Sequence, residues 1–399
     1  MDLHYTKEHE AFRAEVRQFL SEHQASYPKP FGVNRPTEEA RNWQALLIER
    51  GYAARTIPKQ YGGYGAEADI LKSHIVAEEF ARAKAPWGLV SQGISMLVPT
   101  LLELGTEEQK QRWIAPTLRG EIVWCQGYSE PGAGSDLAAL KTSAIEDGDD
   151  FIINGQKIWT TTAHAADMIF CLVRTEPNAA NKYLGISYLI FSMKTKGIEV
   201  RPLRTMTGAA EFNEVFFTDV RVPKTQIVGE RGQGWTVANT TLKHERGMMG
   251  DPDASMARLN SILELMKTET LDGTRVIDMP AFRDRAMRLQ GQVMAMRYHG
   301  MRLLTLASRG ENPGLARLIV KLQACELNHK LAELAVDAMG EMGLLYQGSP
   351  QVRSHGAWQR RYMFDLGMII GGGTAQIQKN IIAERGLGLP REPKLAKAQ

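Results

Sequence analysis

The sequence predicts an α+β protein made of an N-terminal helical domain, a central β domain and a C-terminal four-helix bundle. Two observations carry this expectation. The apolar spacing is helical up to about residue 118, alternates with a period of two from about 121 to 222, and returns to helical steps from about 230. The 399 residues also provide for two or three structural units at roughly 100 to 200 residues each. The expected division is 1–118 for the helical domain, 119–228 for the β domain, 229–390 for the bundle and 391–399 for a mobile basic tail.

In the first zone Thr6 precedes Glu8, Glu10, Phe12, Val16, Phe19 and Leu20, which reads as a capping hydroxyl, an acidic first turn and one apolar face. Further helices are expected over 38–50, stopped by Gly51, and over 70–82, after the loop Pro58-Lys59-Gln60-Tyr61-Gly62-Gly63-Tyr64-Gly65. Thr106 caps the helix that contains Trp113, with Gln109 at the third helical position closing a reciprocal box.

In the second zone the runs 151–153, 168–173, 188–191 and 215–217 are strand-like. Asp147-Gly148-Asp149-Asp150 and Asn154-Gly155 read as turns between them. Recurring crossover helices are absent, which excludes a dinucleotide-binding βαβ unit. The third zone offers helices over 235–247, 280–308, 312–340 and 374–385. Each has an apolar face that it cannot bury alone, so a bundle follows.

Composition removes several function classes. With 43% apolar and 23% charged residues the chain is that of a folded protein, not a disordered one. A net charge of +3 is too mild to neutralise a phosphate backbone, so no nucleic-acid partner is expected. No run of about 20 apolar residues is present for membrane insertion, and the first residues lack a secretory pattern. Cys125, Cys171 and Cys325 are too scattered for a metal site or disulfide framework and read as reduced, buried thiols of a cytoplasmic protein.

Two segments concentrate the chemistry. Trp124-Cys125-Gln126-Gly127-Tyr128-Ser129-Glu130-Pro131-Gly132-Ala133-Gly134-Ser135-Asp136 has the form of a strand entering a Gly-rich turn. Such a turn exposes backbone N–H groups, and Ser129 and Ser135 add donors for ring oxygens or a diphosphate. Taken alone, it would also serve as a structural turn. Asn154-Gly155-Gln156-Lys157-Ile158-Trp159-Thr160-Thr161 follows, with an aromatic ring and hydroxyls at its end. Together the segments resemble the acyl-CoA dehydrogenase family.

The resemblance covers nearly the whole chain, including the joint Asp219-Val220-Arg221-Val222-Pro223 and the segment Gly373-Thr374-Ala375-Gln376-Ile377-Gln378-Lys379-Asn380. It implies FAD as cofactor, with the first segment lying along the flavin through Gln126, Tyr128, Ser129, Gly134 and Ser135. The second supplies Trp159 to pack on the ring and Thr161 to bond its edge. It further implies cofactor contacts at Thr374 and Gln376, where a helix N-terminus suits phosphate. A plain helix cap would also account for Thr374.

Many members of that family place a catalytic glutamate immediately before the terminal Gly-Thr pair, but this chain has Gly372 there. Another carboxylate emerges from helix geometry. Trp235, Ala238, Leu242, Glu245 and Met249 fall on one face, and Glu245 interrupts its apolar stripe. A carboxylate on such a face is either paired, here with Arg246 or His244, or raised in pKa for proton transfer. Glu245-Arg246 matches the family branch whose base lies on this helix. The resemblance therefore implies Glu245 as base and Arg246 near the thioester.

His244-Glu245-Arg246, Gly127-Tyr128-Ser129-Glu130 and Arg385-Gly386-Leu387-Gly388-Leu389-Pro390 are most similar to bacterial dehydrogenases of steroid side-chain or branched acyl-CoAs. The reaction implied is α-proton abstraction by Glu245 with hydride transfer from the β carbon to the flavin, giving a trans-2-enoyl-CoA. An electron-transfer flavoprotein is the implied reoxidant, and the implied assembly is a homodimer, a homotetramer or an α2β2 heterotetramer. An oxidase or a flavin monooxygenase on the same scaffold, or a non-catalytic partner subunit, are the alternative readings.

Overall fold

A computed structural model describes residues 5–32, 35–248, 252–314 and 316–391, the side chains of 245–248, 252 and 253 excepted. The expected mobile tail therefore lies largely outside the described residues. The chain divides into two compact units, one ending at Glu245 and the other beginning at Arg246.

In the first unit the helices are α1 (Lys7–Glu22), α2 (Glu38–Glu49), α3 (Ile70–Ala83), α4 (Val98–Leu104) and α5 (Glu107–Leu118). Thr6 caps α1 and Thr106 caps α5, each in a reciprocal box, because both hydroxyls accept a backbone N–H that has no partner inside the helix. A π-helical turn, Gly93–Leu97, leads directly into α4.

Seven strands follow: β1 (Trp124–Gly127), β2 (Ser143–Asp147), β3 (Asp150–Lys157), β4 (Met168–Arg174), β5 (Ile186–Ser192), β6 (Ile198–Leu203) and β7 (Phe212–Pro223). β4 is central, with β5 antiparallel along one edge. Its other edge takes β1 in parallel at the start and β2 at the end. From β2 the sheet continues antiparallel through β3, β7 and β6.

The alternation of side chains along β4 and β5 explains why both read as continuous apolar runs. Met168, Phe170, Leu172, Tyr188 and Ile190 share a core with Leu97, Leu101, Ile114 and Leu118 from the helical region. Ile169, Cys171, Val173, Leu189 and Phe191 face the opposite way and join Phe151, Ile153, Val215 and Phe217. Strands covered on both faces have no polar side to display. The third helix-borne core of this unit packs Phe19, Trp43 and Phe80 from α1, α2 and α3.

β3 departs from the sequence expectation. Asn154-Gly155 is not a turn but a bulge within the strand, where the register against β7 shifts between Ile153 and Gly155. Asn154 uses its side chain to bond Asp219 across the bulge, donating to Oδ1 at 3.0 Å and accepting the Asp219 N–H at 2.9 Å. β6 was not expected as a strand. Its alternating Glu199 and Arg201 and its Pro202 suit the sheet edge it occupies, where one row of backbone groups is left unpaired.

The unit closes with most of α6 (Gly234–Met248), whose last three residues are counted with the second unit. Gly234 lies so close to β5 that a Cβ there would approach the Ser187 carbonyl carbon to 2.5 Å.

The second unit contains α7 (Pro252–Thr268), a short hairpin of β8 (Thr270–Leu271) and β9 (Thr274–Arg275), then α8 (Pro280–Ser308), α9 (Ala316–Ala338), α10 (Ala357–Ile370) and α11 (Ala375–Ile381), which runs into a π-helical turn at Ile382–Gly386. The bundle is formed by α7 to α10, with Leu259, Ile262, Val293, Leu327, Leu331 and Leu334 in its core. Only α8 and α9 were expected as members. In α10 the apolar pattern is broken by Asp365 and Gly367, which hid the helix from periodicity alone. Among the described residues no helix is long and apolar enough to cross a membrane.

Replacing Gly155 by alanine should lower stability by about 1–3 kcal/mol. Its φ is +151° and a Cβ would meet the Thr142 Cα at 2.7 Å, so neither backbone can yield locally. Denaturant unfolding of Gly155→Ala beside the parent protein measures the loss.

Candidate functional site

The site in the first unit starts from two backbone segments that the sheet brings side by side. β1 carries Gln126 and delivers the chain to Tyr128 and Ser129. The end of β3 joins it there, since Ile158 donates its N–H to the Ser129 carbonyl at 2.9 Å. After Ser129 the chain makes a tight turn in which Glu130 and Ala133 exchange both backbone hydrogen bonds, at 3.1 and 3.0 Å.

A buried ion pair holds this turn. Lys157, fully buried on β3, donates from Nζ to Glu130 Oε1 at 2.8 Å and to the Tyr128 carbonyl at 3.1 Å. Glu130 also accepts the N–H groups of Lys141 and Thr142, at 2.7 and 2.9 Å. Burial alone would raise the Glu130 pKa, but the Lys157 charge and these hydrogen bonds hold it below the usual carboxylate value. Both residues stand inside the quoted motifs, and a sequence reading had no means of pairing them.

Beyond Ile158 the backbone bends sharply. Trp159 takes a φ of +60°, a conformation that side-chain-bearing residues seldom adopt, and is 57% exposed. The bend is fixed on both sides: Thr160 and Asn213 exchange backbone hydrogen bonds at 3.0 Å, and Asn213 Nδ2 donates to the Thr160 carbonyl at 2.9 Å. Thr162 N–H then bonds the Glu211 carbonyl. Phe212 stands nearly perpendicular to the indole, with ring centroids 6.0 Å apart and 82° between planes. A large aromatic is thus presented outward by a strained backbone, a feature typical of ligand-contacting positions.

The polar groups nearby suit a flat, hydrogen-bonding ring. The hydroxyls of Ser129, Ser135 and Thr161 make no side-chain hydrogen bond among the described residues, and nothing stands within 4 Å of a Cβ built on Gly132 or Gly134. Gln126 accepts from the Gln92 amide at 3.4 Å, while the Gln92 carbonyl oxygen and the Thr160 hydroxyl are buried without a partner among the described residues. The Tyr128 side chain behaves differently. Its ring is 5% exposed and packs edge-on against Phe170 and Tyr188, so it belongs to the core and leaves only its main chain for the loop.

On α6 the buried stripe is Val237, Ala238 and Thr241, with Trp235 and Leu242 half-buried beside it. Glu245 and Arg246 lie on the last turns of this helix, and their side chains fall outside the described residues. His244 is engaged elsewhere: its Nε2 lies 2.9 Å from Glu103 Oε1 on α4.

In the second unit Thr374 caps α11, its hydroxyl oxygen accepting the Ile377 N–H at 3.3 Å, and Gln376 is exposed on the first turn. Two of the preceding glycines take backbone conformations that side-chain-bearing residues seldom adopt. Gly372 has a φ of +65° and Gly373 of +96°, and a Cβ on Gly373 would come within 2.6 Å of Gln378 Nε2. Lys321 from α9, 3% exposed, ties the loop by donating to the carbonyls of Ile369 and Gly373 at 3.0 and 2.5 Å. Nothing in the α9 periodicity distinguishes this lysine from a solvated one.

Comparison with known proteins extends along the chain. Models for the acyl-CoA dehydrogenase N-terminal, middle and C-terminal domains match residues 6–121, 125–220 and 232–387. The chain is 39% identical to acyl-CoA dehydrogenase IpdE1 of Mycobacterium tuberculosis, over 96% of this chain and 99% of that protein. Among solved structures, the ChsE4-ChsE5 complex from Mycobacterium tuberculosis superposes with a TM-score of 0.81 at 32% identity, covering 98% of this chain and 100% of the other. The Tcur3481-Tcur3483 steroid ACAD matches with the same TM-score at 29% identity and the same coverage.

Lys157→Met should cost about 3–5 kcal/mol, because it leaves Glu130 buried without its counter-charge. The folded-state pKa of Glu130 is depressed, so the stabilisation it provides is present above the unfolded carboxylate value, about 4.3, and is lost as pH falls through the folded one. The deficit of the variant should accordingly shrink in acid. Unfolding free energies at neutral and acidic pH test this, and a deficit that grows on acidification is the contrary outcome.

Proposed function

The chain belongs to the acyl-CoA dehydrogenase family, and we propose that it converts an acyl-CoA to the trans-2-enoyl-CoA with Glu245 as the base that takes the α proton. FAD-dependent dehydrogenation of acyl-CoA is the general chemistry of this family and fold. When bound, FAD supplies the two-electron acceptor. The remaining requirements fall on this chain's own residues. Trp159 offers a ring face, Ser129, Ser135 and Thr161 offer directed hydroxyls, and Gln126, Gly134 and the Tyr128 main chain border them. Thr374 and Gln376 contribute from the start of α11, and Arg246 orients the thioester next to the base.

The observation that carries this reading is the outward Trp159, held at positive φ one residue beyond the Ile158–Ser129 bond, together with Ser129, Ser135 and Thr161 hydroxyls that bond nothing else among the described residues. A core tryptophan would gain nothing from such a backbone. Glu245 as base is supported by the glycines at 371–373, which provide no carboxylate before Thr374.

The finer assignments belong to the same proposal. The substrate is a branched or steroid-side-chain acyl-CoA, a choice supported by the likeness to a structure described as a steroid ACAD. Electrons pass to an electron-transfer flavoprotein in the cytoplasm. The assembly is a homodimer, a homotetramer or an α2β2 heterotetramer, the last supported by the likeness to the ChsE4-ChsE5 complex. The helical, β and bundle domains meet near residues 118 and 228.

Anaerobic mixing with straight, 2-methyl-branched and steroid-side-chain acyl-CoAs should bleach the flavin near 450 nm. Glu245→Gln should keep its yellow cofactor and lose bleaching by several orders of magnitude, since removal of a base affects chemistry more than cofactor affinity. Full-rate bleaching by that variant would reject the assignment, and rapid peroxide formation in air would favour an oxidase.

A further inference from the structure

α6 is fixed at its start and along its middle in different ways. Its start is wedged against β5, where Gly234 leaves no space for a Cβ beside Ser187. Its middle is apolar, with Val237 and Ala238 buried. Apolar contact is non-directional, so it opposes withdrawal of a helix more than rotation about its axis. Rotation is what would carry position 245 off target.

A directional contact stands one turn before that position. Thr241 and Thr100 are both fully buried, and their hydroxyl oxygens lie 3.0 Å apart across the α4–α6 interface. Each also approaches the carbonyl four residues earlier in its own helix: Thr100 reaches Met96 at 2.7 Å, and Thr241 reaches Val237 at 3.1 Å. Two protons serve three contacts. The shortest takes the Thr100 proton, which leaves Thr100 Oγ1 to accept from Thr241. One turn on, His244 meets Glu103, three residues after Thr100, so the two helices touch through polar pairs at matching steps. The Tyr188 hydroxyl, also fully buried, lies beside Thr241 and Tyr128 and continues the polar seam to the strand that feeds Ser129.

We infer that the Thr241–Thr100 hydrogen bond is a positioning clasp that sets the rotation of α6, and so the placement of Glu245 relative to the Trp159 side of the site. This rests on the reading of Glu245 as base. Residues 241 and 245 share a helix face, and a rise of about 1.5 Å per residue separates them by roughly 6 Å, so a rotation at one is transmitted to the other. Thr241 is a positioning residue and touches no reacting atom. Removing either threonine hydroxyl leaves the other bonded to its own helix carbonyl, and the protein should fold.

The test compares Thr241→Val, Thr100→Val and Thr241→Ser. Amide hydrogen exchange over 234–245 in the substrate-free protein should quicken about 10-fold in the two valine variants, as the last turns loosen. Anaerobic bleaching should lose on the order of 10- to 100-fold in kcat with KM changed little, the scale expected for a misplaced catalytic group. Thr241→Ser, which keeps the hydroxyl, should recover most of both losses. Unchanged exchange in the valine variants overturns the clasp, as does faster exchange with unchanged kcat or a serine variant as impaired as the valine one. If the parent protein bleaches with no acyl-CoA, the catalytic reading fails instead, and the exchange measurement, which needs no substrate, still decides whether the clasp holds the helix.

Discussion

The Lys157–Glu130 pair sits where the turn after β1, the entry to β2 and the end of β3 converge. Glu130 stands in the turn after β1, Lys157 at the end of β3, and the carboxylate also gathers the backbone at Lys141 and Thr142 as the chain enters β2. Three stretches separated by up to 27 positions are held to one buried charge. Such a pair contributes little net stability against an apolar replacement, because both ions lose their hydration. Its effect is on specificity: the Gly-rich turn has little side-chain packing of its own, and without the pair its backbone would have several conformations of similar energy.

The same division of labour runs through the site. Apolar burial sets the layers, with β4 and β5 shared between two cores and α6 laid against one of them. Polar contacts then set rotation and register within those layers. Asn213 holds the bend that turns Trp159 outward, Lys321 holds the glycine loop before Thr374, and the threonine pair holds α6. Each is a buried group whose desolvation is offset only in one geometry, so each narrows the range of structures compatible with the same core.

The departures from expectation share a physical origin. Asn154-Gly155 has the composition of a hairpin turn, yet β7 lies alongside and pairs with the chain on both sides of it, so a bulge with Asn154 bonded to Asp219 is the lower-energy use of the same residues. Tyr128 stands in a cofactor-like motif, but its ring packs edge-on against Phe170 and Tyr188 in the core. The stripe on α6 was legible as apolar, and Thr241 passed unnoticed within it because a single hydroxyl leaves the periodicity unchanged. α10 was missed for a different reason, since its buried positions are the polar Gln359 and Asp365 while Leu366 and Ile370 are exposed.

By itself the sequence determined the order of helical, β and helical zones, the caps at Thr6 and Thr106, and the two segments that identify the family, because these depend on local periodicity, capping chemistry and contiguous motifs. Only the tertiary structure decided which polar residues meet. Lys157 finds Glu130 across 27 positions, Asn213 finds Thr160 across 53, and Thr241 finds Thr100 across 141. Hydrogen bonds and ion pairs are short-ranged and directional, so their partners are chosen by how the strands and helices stack and leave no trace in the spacing of the chain.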